Sequence, residues 1–229
     1  MAVKETTFTL TEIEAVVLTL AYIDALEELA QLVGLAVRDV FEGLAHVDRA
    51  DIEEFITEAS PYTTAGATEA ADLASAYLSE MTGQAIAPSD LIAPVVDFEG
   101  PFLRTWHQLK EGAPWEEARV SGSSVAEVTG YDVTLDGASA RMGQPGVKVR
   151  GWRRVINASA CEWCQVVATQ LYRTQESATF GHHGCRCTTV AVPYGVDATA
   201  AINKARLAEL KKAGAVERVS AARERSRRR

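Results

Sequence analysis

The chain has 229 residues, of which 47% are hydrophobic and 24% charged, as is ordinary for a globular protein with one large or two smaller cores. Its N-terminal sequence has an acidic lead-in, no small-residue cleavage site and no apolar run of membrane-spanning length. We therefore expect no signal peptide, no membrane span and synthesis in a reducing cytosol.

The net charge of −8 is distributed unevenly along the chain. Residues 201–229 contain ten Lys and Arg against three Asp and Glu, whereas the preceding 200 residues contain 13 against 28. An acidic body with a basic tail predicts that the tail has a partner which the body does not bind.

The first predicted helix begins at a capping box. Thr11 and Glu14 have the required spacing, and apolar residues then recur at three- and four-residue steps as far as Leu44. Gly34 is a position at which this helix is expected to end or bend.

Two further helices are predicted before residue 88. Asp51 is placed to cap a short helix that Pro61 closes, and an Ala-rich helix over 66–81 is followed by Gly83 as a stop signal. These patterns predict a mainly helical domain over residues 1–120.

The pattern changes after Ser121. Short runs of β-branched residues alternate with Gly130, Gly137, Gly143 and the Pro145-Gly146 pair, which is typical of turns and short strands. A further helix is predicted from Ala198 to Ala222, followed by the basic end of the chain.

All four cysteines lie in one stretch, ACEWCQVVATQLYRTQESATFGHHGCRC, which runs from residue 160 to 187. Cys161 and Cys164 form a C-x2-C pair, and Cys185 and Cys187 form a C-x-C pair. Structural zinc takes four thiolate or imidazole ligands in a tetrahedron, and the loop between the pairs is long enough to bring them together. The spacing therefore predicts one structural zinc ion.

The ligand set can be completed in more than one way. His182 lies three residues before Cys185, and His183 lies beside it, so five or six donors compete for four positions. Because a C-x-C pair is harder to fit on one ion than C-x2-C, a set of three cysteines and His182 rivals the four-cysteine set. Two disulfides, a redox pair and buried thiols without a ligand are the other interpretations.

The site is predicted to be closed rather than catalytic. A zinc deaminase needs H-x-E before P-C-x-x-C, but Ala160 precedes Cys161, and Gln108 follows His107. An HNH-type nuclease would use a further histidine downstream, and none follows His183. We therefore expect no enzymatic activity, and a nuclease or peptidase is the least favoured function.

A longer string of residues around the cysteines resembles a known family. The string comprises Arg154-Val155, Ala160-Cys161, Trp163-Cys164, Ala168, Leu171-Tyr172-Arg173, Phe180, His182, Cys185-Arg186-Cys187 and Pro193. Over residues 152–194 it resembles the C-terminal motif of the minor head proteins of tailed phages, the Mu F-like minor capsid or head morphogenesis proteins. This chain departs from the motif at Gly181, which separates Phe180 from His182, whereas the family usually places the aromatic directly before the histidine.

The resemblance implies a structural protein of the virion, assembled in the host cytoplasm. It would be present in a few copies at the portal vertex or in the head interior, and would act in head assembly, DNA packaging or genome delivery. The expected partners are the portal protein, other capsid proteins or sister copies, contacted through residues 1–120, and packaged double-stranded DNA. Five tail arginines would neutralise DNA phosphates without sequence preference: Arg223, Arg225, Arg227, Arg228 and Arg229.

The alternative function is a zinc-ribbon regulator that binds nucleic acid. Residues 141–200 carry seven basic and three acidic side chains, and such a regulator would need basic residues in this region. In either case the predicted class is α+β. The predicted domains are a helical domain over 1–120, a small zinc-stapled, Mu F-like cysteine/histidine domain over 121–197, and a helix with a basic tail over 198–229.

Overall fold

The computed structural model describes residues 10–44, 49–87, 111, 114–142, 149–157, 160–174 and 187–212. In chain order, these residues form α1 (Glu12–Glu42), α2 (Arg49–Thr82), α3 (Trp115–Met142), β1 (Val149–Val155), α4 (Glu162–Val167), β2 (Thr188–Pro193) and α5 (Ala198–Lys212). Most of the described chain is helical and the two strands are antiparallel, which confirms the α+β class. None of the described helices is both long and apolar enough to cross a membrane.

Helix α1 begins at the predicted capping box. The Glu14 amide donates to Thr11 Oγ1 over 3.2 Å, and the Thr11 amide donates to Glu14 Oε2 over 2.8 Å. Hydrogen bonds from the Thr11 side chain and backbone lower the pKa of Glu14. The helix does not end at Gly34 but continues to Glu42. A Cβ at Gly34 would lie 2.7 Å from Glu127 O, so the glycine allows close packing against α3.

Helix α2 corrects one prediction and confirms another. Pro61 does not close a short helix but lies inside a helix of 34 residues. An interior proline costs about 3 kcal/mol or more through a lost hydrogen bond and a steric clash. Phe55 before it and Ala67 after it are both buried, so core packing retains the helix on both sides. Gly83 ends the helix as predicted, with φ at 65° and its amide donating to Ser79 O over 2.9 Å.

The glycine-containing segment after Ser121 is helical, so the prediction of turns and strands there is wrong as far as Met142. Helix α3 has 28 residues and runs across the predicted boundary between residues 120 and 121. Its glycines face other helices: a Cβ at Gly130 would lie 3.0 Å from the Cα of Gly34, and one at Gly137 would lie 2.4 Å from Ala67 O. Tertiary packing therefore overrides the weak helix propensity of these residues.

The chain divides into two compact units. One consists of Tyr22–Ala76 and Ala87–Arg141. Its core contains buried residues from three helices, namely Val33, Val37, Phe41, Phe55, Ala59 and Ala126. The rings of Phe41 and Phe55 meet edge to face with their centroids 5.6 Å apart, which is a favoured geometry for aromatic pairs.

The other unit consists of Met1–Ala21, Tyr77–Ile86 and Met142–Arg229 and contains the sheet. Trp152 of β1 lies opposite Ala191 of β2, and helix α5 contacts both strands. Trp152 also exchanges two backbone hydrogen bonds of 2.8 Å with Tyr172. A Cβ at Gly151 would lie 2.5 Å from Tyr172 O, so this pairing requires glycine at residue 151.

Helix α5 confirms the helix predicted from Ala198 as far as Lys212. Residues 213–229, which include the five tail arginines, lie outside the described ranges.

Candidate metal centre

Three of the four cysteines share one cluster next to the sheet. Cys164 and Cys187 are buried in it, and the partly buried Cys161 packs against it. The other members are Ile156, Ala160, Ala168 and Leu210, with Trp163 and Leu207 packed against them. The structure thus brings together both cysteines of the C-x2-C pair and the second cysteine of the C-x-C pair.

The C-x2-C pair is shaped by the start of helix α4. Cys161 is the N-cap residue of α4, and its Sγ accepts a hydrogen bond from the Cys164 amide over 3.5 Å. Gln165 reinforces the turn, since its Nε2 donates to Ala160 O over 2.8 Å and its amide to Cys161 O over 3.0 Å. An amide donor stabilises negative charge on sulfur, and the thiolate is the form that binds metals.

The position of Cys187 follows from the pairing of the strands. Cys187 directly precedes β2, and Thr188 lies opposite Val155. Because the strands are antiparallel, the residue before Thr188 lies next to the residue after Val155, so Cys187 adjoins Ile156. Both residues belong to the same cluster.

Arg154 and Trp163, two residues of the quoted motif, contact each other beside the cysteines. The guanidinium carbon of Arg154 lies 5.5 Å from the centroid of the Trp163 ring, within the range of a cation–π interaction. Because Trp163 also packs against the cysteine cluster, this contact connects β1 to the turn that carries Cys161 and Cys164.

Arg153 and Asp197 form a second polar contact in this unit. Arg153 Nη2 donates to Asp197 Oδ2 over 2.8 Å, and Arg153 Nη1 donates to Thr169 O over 2.9 Å. Burial alone would raise the pKa of Asp197, but hydrogen bonds from Arg153, Thr199 and the Ala200 amide, and the charge of Arg153, lower it. The pair holds β1 and the residues after α4 against the start of α5.

The sequence prediction missed Asn203, Arg153 and Asp197. Asn203 is buried and hydrogen-bonded to the backbone on both sides of the C-x2-C turn. Asp197 carries a local signal, because an aspartate directly before Ala198 is a preferred N-cap. Asn203 and Arg153 carry no comparable signal, since most of their hydrogen bonds go to distant backbone carbonyls.

The structure describes three of the five predicted ligands. Cys161, Cys164 and Cys187 are described, while His182 and Cys185 lie outside the described residues. Within the described ranges, no three His, Cys, Asp or Glu side chains surround one metal position. Sulfur is a preferred donor for structural zinc, so the donor atoms of the cluster fit this ion, and His182 and Cys185 stay predicted ligands.

No family model, curated protein or solved structure matches the chain. The resemblance to tailed-phage minor head proteins therefore stays a prediction from the motif residues. The described residues of that motif all belong to the unit that contains the sheet: Arg154, Val155, Ala160, Cys161, Trp163, Cys164, Ala168, Leu171, Tyr172, Arg173, Cys187 and Pro193.

Proposed function

We propose that the chain is a structural minor capsid protein of a tailed phage, whose C-terminal part is stabilised by one zinc ion. The observation that carries the proposal is the cluster that joins Cys161, Cys164 and Cys187. These cysteines belong to the motif that resembles minor head proteins, and the same motif supplies the strand ends and contacts around them. In this role the zinc is structural, and no reaction is assigned to the protein.

Zinc would be bound by Cys161, Cys164, Cys187 and one further donor, either Cys185 or His182. The zinc ion would stabilise the folded state, because structural zinc in small domains binds with about 10–16 kcal/mol of free energy and the unfolded chain has no preformed site for it. A loop-rich segment with only two short strands and a six-residue helix has few other sources of stability.

Elemental analysis of full-length protein purified without chelator tests the metal site. One zinc per chain is expected, and less than about 0.2 equivalents in a folded protein would contradict the proposal. Cys161→Ser should abolish binding, whereas Val166→Ser, at an exposed position of the same helix, should leave it intact. Comparing His182→Ala with Cys185→Ser identifies the fourth ligand, because only loss of the true ligand releases the metal.

The virion assignment is tested separately, on purified particles from infected or induced cells that encode the chain. An antibody against the protein should detect a few copies per particle and label a single vertex or the head interior in immunogold images. Portal protein should cross-link to it. Presence in the lysate with absence from purified particles would contradict the assignment and leave the zinc result unaffected.

We propose that the basic tail contacts packaged DNA. Binding to duplex DNA should be weak and independent of sequence, and each phosphate contact should add about −0.9 to the slope of log K against log salt concentration. Replacing the five arginines between residues 223 and 229 with glutamine should abolish most binding, and replacing them with lysine should retain it. If the glutamine variant bound equally well, the regulator alternative would take precedence.

The burial of basic residues argues for the tail rather than the cysteine region as the DNA contact. Arg141, Arg153 and Arg154 are three of the seven basic residues of the 141–200 region, and all three are buried. Arg141 donates to Ser75 Oγ and to Ala87 O, each over 2.7 Å. Side chains that are buried inside the protein cannot contact DNA phosphates.

A further inference from the structure

Asn203 on helix α5 bonds to both ends of the segment that carries the C-x2-C pair. Its Nδ2 donates to Arg154 O over 2.7 Å and to Ala168 O over 2.9 Å, while its Oδ1 accepts from the Ile156 amide over 3.1 Å. The residue is only 2% exposed. Both amide protons and the carbonyl oxygen are therefore used within the protein.

Each end that Asn203 binds also contacts a cysteine residue, one through a backbone hydrogen bond and the other across the paired strands. The Ala168 amide donates to Cys164 O over 2.9 Å, so the bond to Ala168 fixes the end of α4. Ile156 adjoins Cys187 in the antiparallel register and lies with it in one cluster. One side chain thus connects the C-x2-C turn with the strand end beside Cys187.

We propose that Asn203 is a positioning residue for the zinc site, holding the C-x2-C turn next to Cys187 before the metal binds. This inference rests on the proposed zinc site and extends it, because Asn203 is not a ligand. A preformed ligand set loses less conformational freedom on binding, and residues that orient ligands typically contribute about 10–100-fold to metal affinity. Arg206 supports the same end by donating to Ile156 O.

The test compares Asn203→Ala with a matched control, Thr199→Ala, in the full-length protein. Thr199 lies on the same helix and is equally buried, but its hydroxyl donates to Asp197 over 2.8 Å. Zinc Kd is measured by chelator competition, and the Co²⁺ complex is examined for its thiolate charge-transfer band. Asn203→Ala should raise Kd by about 10–100-fold at unchanged stoichiometry, and Thr199→Ala by less than about threefold.

If Asn203→Ala folds only when zinc is added, the zinc concentration at half-folding, followed by circular dichroism, replaces the Kd in the comparison. An unchanged affinity in Asn203→Ala would overturn the positioning role and leave the zinc site intact. Equal losses in the two variants would also overturn it, because they would reduce the effect to general destabilisation. Folded wild-type protein that binds no zinc when the ion is added would refute the metal site and this role together.

Discussion

Asp197→Asn should destabilise the unit that contains the sheet, because Asp197 uses its two oxygens for different partners. Oδ2 accepts from Arg153 Nη2 over 2.8 Å, while Oδ1 accepts from Thr199 Oγ1 over 2.8 Å and from the Ala200 amide over 3.0 Å. Asparagine has one acceptor oxygen, so it can cap the helix or bind Arg153 but not both.

The expected cost follows from the burial of Arg153, whose side chain is only 8% exposed. Removing one partner of a buried ion pair costs about 3–5 kcal/mol. Arg153 keeps its bond to Thr169 O, and the Asp197 side chain is 16% exposed, so we expect the lower end, about 3 kcal/mol. Asp197→Ala should cost about 1 kcal/mol more, because it also removes the cap.

Urea unfolding monitored by circular dichroism measures these differences. Glu127→Gln is the control, since it removes the Arg38–Glu127 pair, in which the side chains are 33% and 36% exposed. Such an exposed pair should contribute less than about 1 kcal/mol. A loss in Asp197→Asn no larger than the loss in Glu127→Gln would refute the reasoning from burial.

We also expect the stability difference between wild type and Asp197→Asn to depend on pH. Burial alone would raise the pKa of Asp197, but hydrogen bonding and the charge of Arg153 lower it. Because the folded pKa lies below the unfolded one, the stabilisation is present above the unfolded pKa and is lost as pH falls through the folded pKa. The stability difference between wild type and Asp197→Asn should therefore shrink below about pH 4, and a difference that stays constant to acid pH would contradict this.

Two glycine substitutions test the packing of the helices and the sheet. Gly137→Ala should lower the free energy of unfolding by about 2 kcal/mol or more, because its Cβ would meet Ala67 O at 2.4 Å. Gly43→Ala, whose nearest contact is at 3.3 Å, should be close to neutral in the same urea experiment, and equal effects would contradict the close packing of α2 and α3. Gly151→Ala should break the backbone pairing with Tyr172 and speed hydrogen exchange at the amide of residue 172, whereas unchanged protection would show that the approach does not need glycine.

The parts of the fold that follow from short-range patterns could be predicted from the sequence. The capping box at Thr11 and Glu14 and the stop at Gly83 each involve residues within four positions of one another. Their physical causes, a satisfied helix end and a residue that tolerates positive φ, are visible in any single sequence.

The features that depend on distant contacts could not be predicted. Gly130 and Gly137 look like turn residues until Gly34 and Ala67 are known to lie against them. Likewise, Pro61 is a helix breaker by propensity, and only the packing on both sides of it retains the helix. In both cases tertiary contacts outweigh the local preference.

The residues of the candidate site could also be predicted only in part. Spacing alone identified the cysteines, of which Cys161, Cys164 and Cys187 do share a cluster. Asn203 was not predicted, because it acts through backbone groups that are far away in sequence. His182 and Cys185 remain predicted ligands, since they lie outside the described residues.

The unit that contains the sheet is assembled from the beginning, the middle and the end of the chain: Met1–Ala21, Tyr77–Ile86 and Met142–Arg229. During synthesis, at about 5–20 residues per second, its first segment leaves the ribosome well before its last. Ala15 and Leu78, both buried in the folded protein, belong to these two earlier segments. We expect this unit to fold only after translation. A recombinant fragment that begins near residue 142 should aggregate, because it lacks the two earlier segments.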